Sequence, residues 1–250
     1  MRPSTLRSTF VVLTLGVAAA ITAPAALRAQ EHDFVLRGFR FASGESLPAL
    51  TLHYRTLGRP RRDAAGVVRN AVLILHGTTG SGAQFLSRPF AGELFGRGQP
   101  LDTTVYYVVL PDGIGHGRSS RPSEGLHARF PHYGYDDMVE AQHRLLVEGL
   151  GVGHLRLVMG TSMGGMHSWV WGERYPEFMD GIVPLASVPT AIVGRNRMVR
   201  RMAMDDIRTD PAWRNGDYTT QPPGLRAALQ MLWIMTSAPP GVAEGSPGKP

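Results

Sequence analysis

Apolar and polar positions alternate along the chain with two periods, one of two residues and one near 3.6. The period of two predicts half-exposed antiparallel strands at a sheet edge over residues 34–41 and 50–56. Nearly continuous apolar runs predict buried strands, and they cover residues 70–76, 105–111, 154–159 and 181–186. These six segments supply the strands of one sheet.

Helical periodicity falls between the apolar runs. Residues 135–151 are clearly amphipathic, and further helices are predicted at 82–95 and 162–175. Strands that alternate with helices predict a mostly parallel sheet covered by helices on both faces, which is an α/β fold.

The pattern changes at residue 189. Residues 195–204 are helical and rich in arginine, residues 210–218 are rich in turn formers, and residues 225–235 are apolar and helical. We interpret residues 34–187 as the core, 188–237 as a helical cap inserted over the sheet, and 238–250 as an irregular tail. The methionines of the cap either line an adaptable acyl pocket or fill the core between helix and sheet, and they include Met198, Met202 and Met204.

The first 29 residues are typical of a secretory signal peptide. Arg2 and Arg7 precede an uncharged run over residues 10–23, and small residues follow. Pro24 and the neighbouring alanines favour cleavage over an uncleaved membrane anchor, although residues 8–27 are long enough to span a bilayer. We therefore expect an exported protein, periplasmic or extracellular, with no stable membrane span after cleavage.

Composition narrows the class of protein. The chain has 250 residues, of which 43% are hydrophobic and 18% are charged, and this suits a globular enzyme-sized domain. The net charge is +6 and is spread along the chain, so we do not expect a nucleic-acid partner. There is no cysteine, which excludes disulfides, thiolate chemistry and cysteine-based metal sites.

The segment Gly160-Thr161-Ser162-Met163-Gly164 lies between a predicted strand and a predicted helix. In that context, Gly-x-Ser-x-Gly indicates a nucleophile elbow, a sharp turn that exposes a reactive serine. The alternative is a glycine-rich turn with a capping serine. We favour Ser162 as a catalytic nucleophile.

A serine nucleophile needs amide donors for the oxyanion that forms at the attacked carbon. One donor is the backbone N–H of the residue after the serine, Met163, and the other comes from the loop after the third strand. That loop covers residues 76–80, and the N–H of Thr78 is the candidate. We interpret His76 at its start as a structural histidine.

The loop after the strand at 105–111 is rich in glycine, but it does not bind a dinucleotide. Arg118 stands where the third glycine of Gly-x-Gly-x-x-Gly belongs. Three nearby histidines lack metal-ligand spacing, and we expect surface roles for His116, His127 and His132. We therefore predict neither a metal nor a bound cofactor.

Several motifs together resemble α/β-hydrolases. They are His76-Gly77, Asp112…Gly115-x-Gly117-x-Ser119 and Gly160-x-Ser162-x-Gly164-Gly165. Others are similar to the homoserine O-acetyltransferase-like branch, and they lie at residues 119–123, 130–131, 137–142, 175–180 and 210–218. The resemblance covers about residues 50–235.

The resemblance implies that Ser162 takes an acyl group from a small ester or thioester and passes it to water or an alcohol. Export favours the hydrolase, because acyl-CoA is not expected outside the cytoplasm. The alternative is an O-acyltransferase acting on a small alcohol such as homoserine, with acyl-CoA as cosubstrate. The resemblance also implies a homodimer formed through the cap.

Two departures from the family matter. The arginine that binds the amino-acid carboxylate on the cap helix corresponds to Leu229, although Arg226 lies nearby. The family's acid and base follow the cap, yet His167 is the only histidine after Ser162, about 140° away from it around the helix. The remaining acids are in the cap, and they are Asp205, Asp206, Asp210 and Asp217.

Three explanations for the missing base remain open. The sequence is a fragment of a longer chain, which we favour, and its sheet then also lacks its last two strands. Alternatively, it is a naturally shortened, catalytically inactive binding protein. In the third explanation, an earlier histidine supplies the base.

Overall fold

Six strands form one sheet in the computed structural model, which describes residues 29–237. In chain order they are β1 Gln30–Arg40, β2 Ser46–Leu57, β3 Ala71–Leu75, β4 Tyr107–Pro111, β5 Leu155–Thr161 and β6 Ile182–Leu185. The order across the sheet is β1-β2-β4-β3-β5-β6. The last four strands in the chain are mutually parallel, and β1 and β2 are antiparallel. The predicted α/β-hydrolase-type architecture is confirmed.

The α-helices are α1 Arg88–Leu94, α2 Tyr135–Arg144, α3 Met163–Arg174, α4 Gly194–Arg208 and α5 Gly224–Thr236. The helix predicted at 82–95 is divided into a 3₁₀ turn, Gly82–Leu86, and α1. Ser87 is extended between them, and Pro89 begins a new helix because proline fits only the first turn. The helix predicted at 135–151 leaves α-geometry after Arg144 and continues as a π-helical turn, Leu145–Gly149.

The sheet separates two apolar clusters. Along β3, Leu73 and Leu75 pack into the cluster that contains Trp171, whereas Val72 and Ile74 pack into the cluster on the other face. All five residues of β3 are buried, as a continuous apolar run predicts. Helices α2 and α3 contribute to the first cluster, for example through Met138 and Trp171.

Strand β6 differs from its prediction as a buried strand. It forms the edge of the described sheet and pairs only with β5 within residues 29–237. Val183 and Leu185 are consequently 37% and 42% exposed. An apolar run identifies a strand here, but it does not determine whether both sides of that strand are covered.

The cap consists of α4, α5 and a 3₁₀ segment between them, Pro211–Gly216. The Asp210 carboxylate joins its parts, accepting hydrogen bonds from the N–H groups of Ala212 (2.8 Å) and Gly224 (2.6 Å). The cap methionines do not fill a core, since their exposed fractions are 64% for Met198, 45% for Met202 and 44% for Met204. None of these three lines a cavity at Ser162, whereas Met235, a further cap methionine, does line one. The interpretation as core residues is therefore wrong for Met198, Met202 and Met204, and only Met235 takes the position of a pocket residue.

The predicted signal peptide, apart from Ala29, and the tail at 238–250 lie outside the described residues. From Ala29 to Ser237, no helix has both the length and the apolar character needed to cross a bilayer.

Candidate active site

Ser162 occupies the sharp turn between β5 and α3. Its backbone torsions are φ +54° and ψ −111°, a sparsely populated combination for a residue with a side chain. The turn is held by two hydrogen bonds, in which Ser162 N–H donates to the Leu185 carbonyl (2.8 Å) and Met166 N–H donates to the Ser162 carbonyl (2.9 Å). The side chain is exposed. The strand, turn and helix predicted around Ser162 are therefore present.

Close backbone packing explains the two glycines of the turn. A Cβ atom on Gly160 would lie under 3.0 Å from the Gly164 carbonyl oxygen. A Cβ atom on Gly164 would lie equally close to the carbonyl oxygen of Leu75 in β3. Each contact is with backbone, which cannot move aside as a flexible side chain can. Only glycine fits at both positions.

The loop that follows β3 lies beside Ser162. Leu75 of β3 pairs with Gly160 of β5, so the two parallel strands end at the same level. A Cβ atom built on Gly77 would be 3.4 Å from the Cβ of Ser162. The next residue, Thr78, lines the same two cavities as Ser162. The structure thus brings together the three predicted site residues, Ser162, Thr78 and Met163.

Two backbone amides near the serine are available to a ligand. Among the described residues, the N–H groups of Thr78 and Met163 donate to no other protein group. Met163 is the first residue of α3, so its N–H also lies at the positive end of the helix dipole. Donors of this kind stabilise an oxyanion.

A buried carboxylate anchors the region behind this loop. Asp112 is fully buried, and its carboxylate accepts hydrogen bonds from Gly82 N–H (2.8 Å), Arg55 Nη1 (2.9 Å) and Arg118 N–H (2.9 Å). These bonds join β2, the loop after β4 and the turn after residues 76–81. The sequence motif contained Asp112 but did not show this role, because Arg55 and Gly82 are distant from it in the chain.

His76 is a structural histidine, as the sequence favours. It is only 3% exposed, its Nδ1 lies 2.8 Å from the Gly77 carbonyl oxygen, and its Nε2 accepts a hydrogen bond from Gly113 N–H (2.9 Å). Burial lowers the pKa of His76, which keeps the ring neutral. Both ring nitrogens are therefore occupied, and neither is free to take a proton from Ser162.

His167 is also unsuited to act as the base. It is 1% exposed, its Nδ1 lies 3.4 Å from Gln142 Nε2, and its ring packs edge-on against Tyr135. Burial lowers the pKa of His167 to about 3. A ring that resists protonation to this extent is a poor proton acceptor near neutral pH.

The other histidines are engaged elsewhere. His53 lies on β2, and the three strand spacings from β2 to β5 amount to roughly 14 Å. Its Nδ1 is 2.7 Å from Asp33 Oδ1. His116 Nδ1 is 3.0 Å from the Ile114 carbonyl oxygen, and His127 Nδ1 is 2.7 Å from that of Gly216. Residues 29–237 contain every histidine of the chain, and none lines a cavity at Ser162.

The four cap aspartates do not replace the triad acid. Asp205 pairs with Arg201 at 2.7 Å, and Asp210 binds the backbone of the cap. No aspartate or glutamate of the described chain lines either cavity at Ser162. Residues 29–237 also hold no group of three or more metal-ligating side chains.

Two cavities meet at Ser162 beneath the cap. One has a volume of 390 Å³ and extends past Tyr135 and Met166. The other has a volume of 480 Å³ and extends along α5, where Leu229 and Trp233 line it. Four residues line both cavities, and they are Thr78, Ser162, Asn196 and Arg200.

Asn196 and Arg200 are site residues that the sequence did not single out. They lie four residues apart on α4, and this spacing places them on one helix face. The sequence showed five arginines in this helix without indicating which of them faces Ser162. Only the packing of α4 over the sheet makes that choice.

The sequence and the backbone are similar to those of known proteins. Residues 70–224 match the model of the alpha/beta hydrolase fold family. A homoserine O-acetyltransferase from Haloarcula marismortui is 35% identical over 232 residues, which cover 82% of this chain and 55% of that protein. The chain spans about half the length of the curated relatives it matches.

Solved structures give the same result. The acetyl esterase MekB has a TM-score of 0.73 and 26% identity, with 86% of this chain and 62% of that chain covered. A homoserine O-acetyltransferase from Bacillus anthracis has a TM-score of 0.70 and 25% identity, with 82% and 60% covered. The chain has the serine turn and the mostly parallel sheet, and the family model matches more than half of its residues. The chain therefore belongs to the α/β-hydrolase fold family.

Proposed function

We propose that this chain carries the nucleophile half of an exported ester hydrolase in which Ser162 attacks the acyl carbon of a small ester or thioester. The observation that carries the proposal is the exposed Ser162 on a strained turn, beside the free amides of Thr78 and Met163. Export is inferred from residues 1–29 alone.

In the first step, Ser162 Oγ forms a bond to the acyl carbon and loses its proton to a general base. The carbonyl oxygen becomes an oxyanion, and the N–H groups of Thr78 and Met163 donate to it. The C–O or C–S bond to the leaving group then breaks, and the base returns the proton to that group. Water, deprotonated by the same base, releases the acid and restores Ser162.

The base in this scheme is supplied from outside the part of the chain that the structure describes. The support is that no histidine or carboxylate among residues 29–237 lines the cavities at Ser162. The relatives are almost twice as long as the matched portion. In this proposal, the base comes either from a longer polypeptide that includes this chain or from a partner protein that completes the site.

Water is favoured over an alcohol as the acyl acceptor. Leu229 lines the 480 Å³ cavity. The resemblance to acetyltransferases leads us to expect a carboxylate-binding arginine at this position. An apolar side chain there removes the contact expected of α5, and inferred export, away from acyl-CoA, further supports water as the acceptor. The reaction uses neither a metal nor a bound cofactor, and acyl-CoA enters only as a cosubstrate in the transferase alternative.

A fluorophosphonate probe tests the nucleophile. We expect slow labelling of the 250-residue chain at Ser162, faster labelling when free imidazole stands in for the base, and none in Ser162→Ala. Ser187→Ala is the matched control, because this second serine is also a lining residue of the 390 Å³ cavity at Ser162. Equal labelling of wild type and Ser162→Ala, or no labelling even with imidazole, would contradict the assignment.

Export is tested separately by expressing the chain in a secreting host, since removal of residues 1–29 from the secreted protein is visible in its intact mass. Retention of Met1 in the mature protein contradicts it.

A non-catalytic binding protein is the second candidate, and the lack of a base at Ser162 among residues 29–237 favours it. Translating the genomic DNA downstream of Pro250 separates the two. Strand patterns that carry an aspartate and then a histidine support the hydrolase. A stop codon with nothing related beyond it supports the binding protein.

A further inference from the structure

Helix α4 presents two polar side chains to the place where the two cavities meet. Asn196 and Arg200 line both cavities, as Ser162 does, so they lie at the junction above the nucleophile. The other arginines of this helix differ in position. Arg195 and Arg197 are exposed and line neither cavity.

Among residues 29–237, the Arg200 guanidinium has no anionic partner. Its Nε donates to Asn196 Oδ1 at 2.7 Å, and it forms no salt bridge with any described residue. The adjacent Arg201, in contrast, pairs with Asp205. Since Asn196 occupies Nε, the N–H groups of both Nη atoms remain available. These form the planar fork that binds a carboxylate through two parallel hydrogen bonds.

The rest of the 480 Å³ cavity is mostly apolar. Leu229, Leu232, Trp233 and Met235 line it along α5. A ligand that fills it while reaching Ser162 therefore meets a guanidinium at the junction and hydrocarbon along one arm. This combination fits a ligand with one carboxylate and a short apolar chain.

We propose that Arg200, oriented by Asn196, is the specificity-determining residue for a free carboxylate on the ester substrate. The preferred substrates are then monoesters of short dicarboxylic acids, with the ester carbonyl at Ser162 and the second carboxylate on Arg200. This proposal rests on the proposed function, because it takes the ligand to be an ester.

Binding can be measured without any reaction at the serine. Monomethyl glutarate and dimethyl glutarate have the same chain length, but only the first carries a carboxylate. Ligand-observed NMR titration of the 250-residue chain carrying Ser162→Ala gives the two dissociation constants without hydrolysis. We expect the monoester to bind about tenfold more tightly, the lower end for a charge-assisted contact at a half-exposed site.

Substitutions in α4 test whether Arg200 causes the preference for the monoester over the diester. Arg200→Met keeps the length of the side chain and should remove the tenfold difference. Arg200→Lys keeps the positive charge but loses the two parallel N–H donors, and it should retain part of the tenfold difference in affinity. The control, Arg197→Met, should bind as the parent does. Higher salt should weaken binding of the monoester and leave the diester unchanged.

Two results would overturn the proposal: equal affinity of the parent for both ligands, or an unchanged preference in Arg200→Met. Failure of the proposed function looks different. In that case Ser162 is not labelled by the fluorophosphonate, whereas the preference for the monoester and its dependence on Arg200 persist.

Discussion

Acidification should destabilise this protein through His167 before its carboxylates titrate. Burial lowers the pKa of His167 from 6.5 to about 3 in the folded chain. Between these values, the unfolded chain binds a proton that the folded chain does not. Stability is therefore fully present above about pH 7.5 and is lost as the pH falls through 6.5 towards 3.

The size of the effect follows from the two pKa values. At pH 5 the unfolded state gains about 2 kcal/mol from protonation of this one histidine, and the slope below pH 6 is ~1.4 kcal/mol per pH unit. His76 acts in the same direction, because burial lowers its pKa too. A loss of ~2 kcal/mol is a large fraction of the stability of an ordinary domain.

Urea unfolding followed by circular dichroism at pH 5.0, 5.5, 6.0, 7.0 and 8.0 measures this slope. We expect His167→Gln and His167→Phe to have a slope smaller by about 1 kcal/mol per pH unit between pH 5 and 6. His132→Gln is the control, since that side chain is 90% exposed. The same slope in wild type and in both His167 variants would refute the reasoning, whatever their absolute stabilities.

Two further substitutions test the framework of the site. Gly164→Ala should lower the free energy of unfolding by about 2 kcal/mol or more, because its Cβ would overlap the Leu75 carbonyl oxygen. Gly181→Ala is the control, because no heavy atom lies within 4 Å of the new Cβ. An equal loss of unfolding free energy in both variants would contradict the packing argument. Asp112→Ala should cost about 3 kcal/mol, because it leaves Arg55 buried with only the half-exposed Glu31 as a partner. Urea titration against Asp136→Ala, whose side chain is 68% exposed, measures this, and a difference below about 1 kcal/mol would count against Asp112 as the anchor.

Most strands of the sheet could be predicted from a local signature, but the prediction for residues 50–56 was wrong in part, since β2 lies between β1 and β4 and is mostly buried rather than half exposed at an edge. The five residues of β3 are apolar and all are buried, and the alternating pattern of β1 matches an edge strand paired on one side. Strand β6 has the same kind of apolar run as β3, yet it is half exposed. Apolar character shows which residues tend to be buried, whereas coverage of an edge depends on which other segments reach it.

The site residues also fall into those that the sequence could predict and those that it could not. Ser162 and Met163 lie within one local motif, and Thr78 follows from the parallel register of β3 and β5, so all three could be named from the sequence. Arg200 and Asn196 could not, because their position depends on how the cap packs over the sheet. Asp112 was visible as a motif residue, but its partners, Arg55 and Gly82, are 57 and 30 residues away.

The turn at Ser162 also bears on the choice between enzyme and binding protein. Its backbone conformation costs of order 1–3 kcal/mol, and two glycines without room for a side chain are needed to hold it. A cavity that merely binds an ester needs no such turn, since a relaxed serine would line it equally well. What the strain achieves is an exposed hydroxyl beside two free amides, the arrangement that serves attack on a carbonyl. The geometry therefore favours a nucleophile, and acceleration of labelling by imidazole is the result that this reasoning requires.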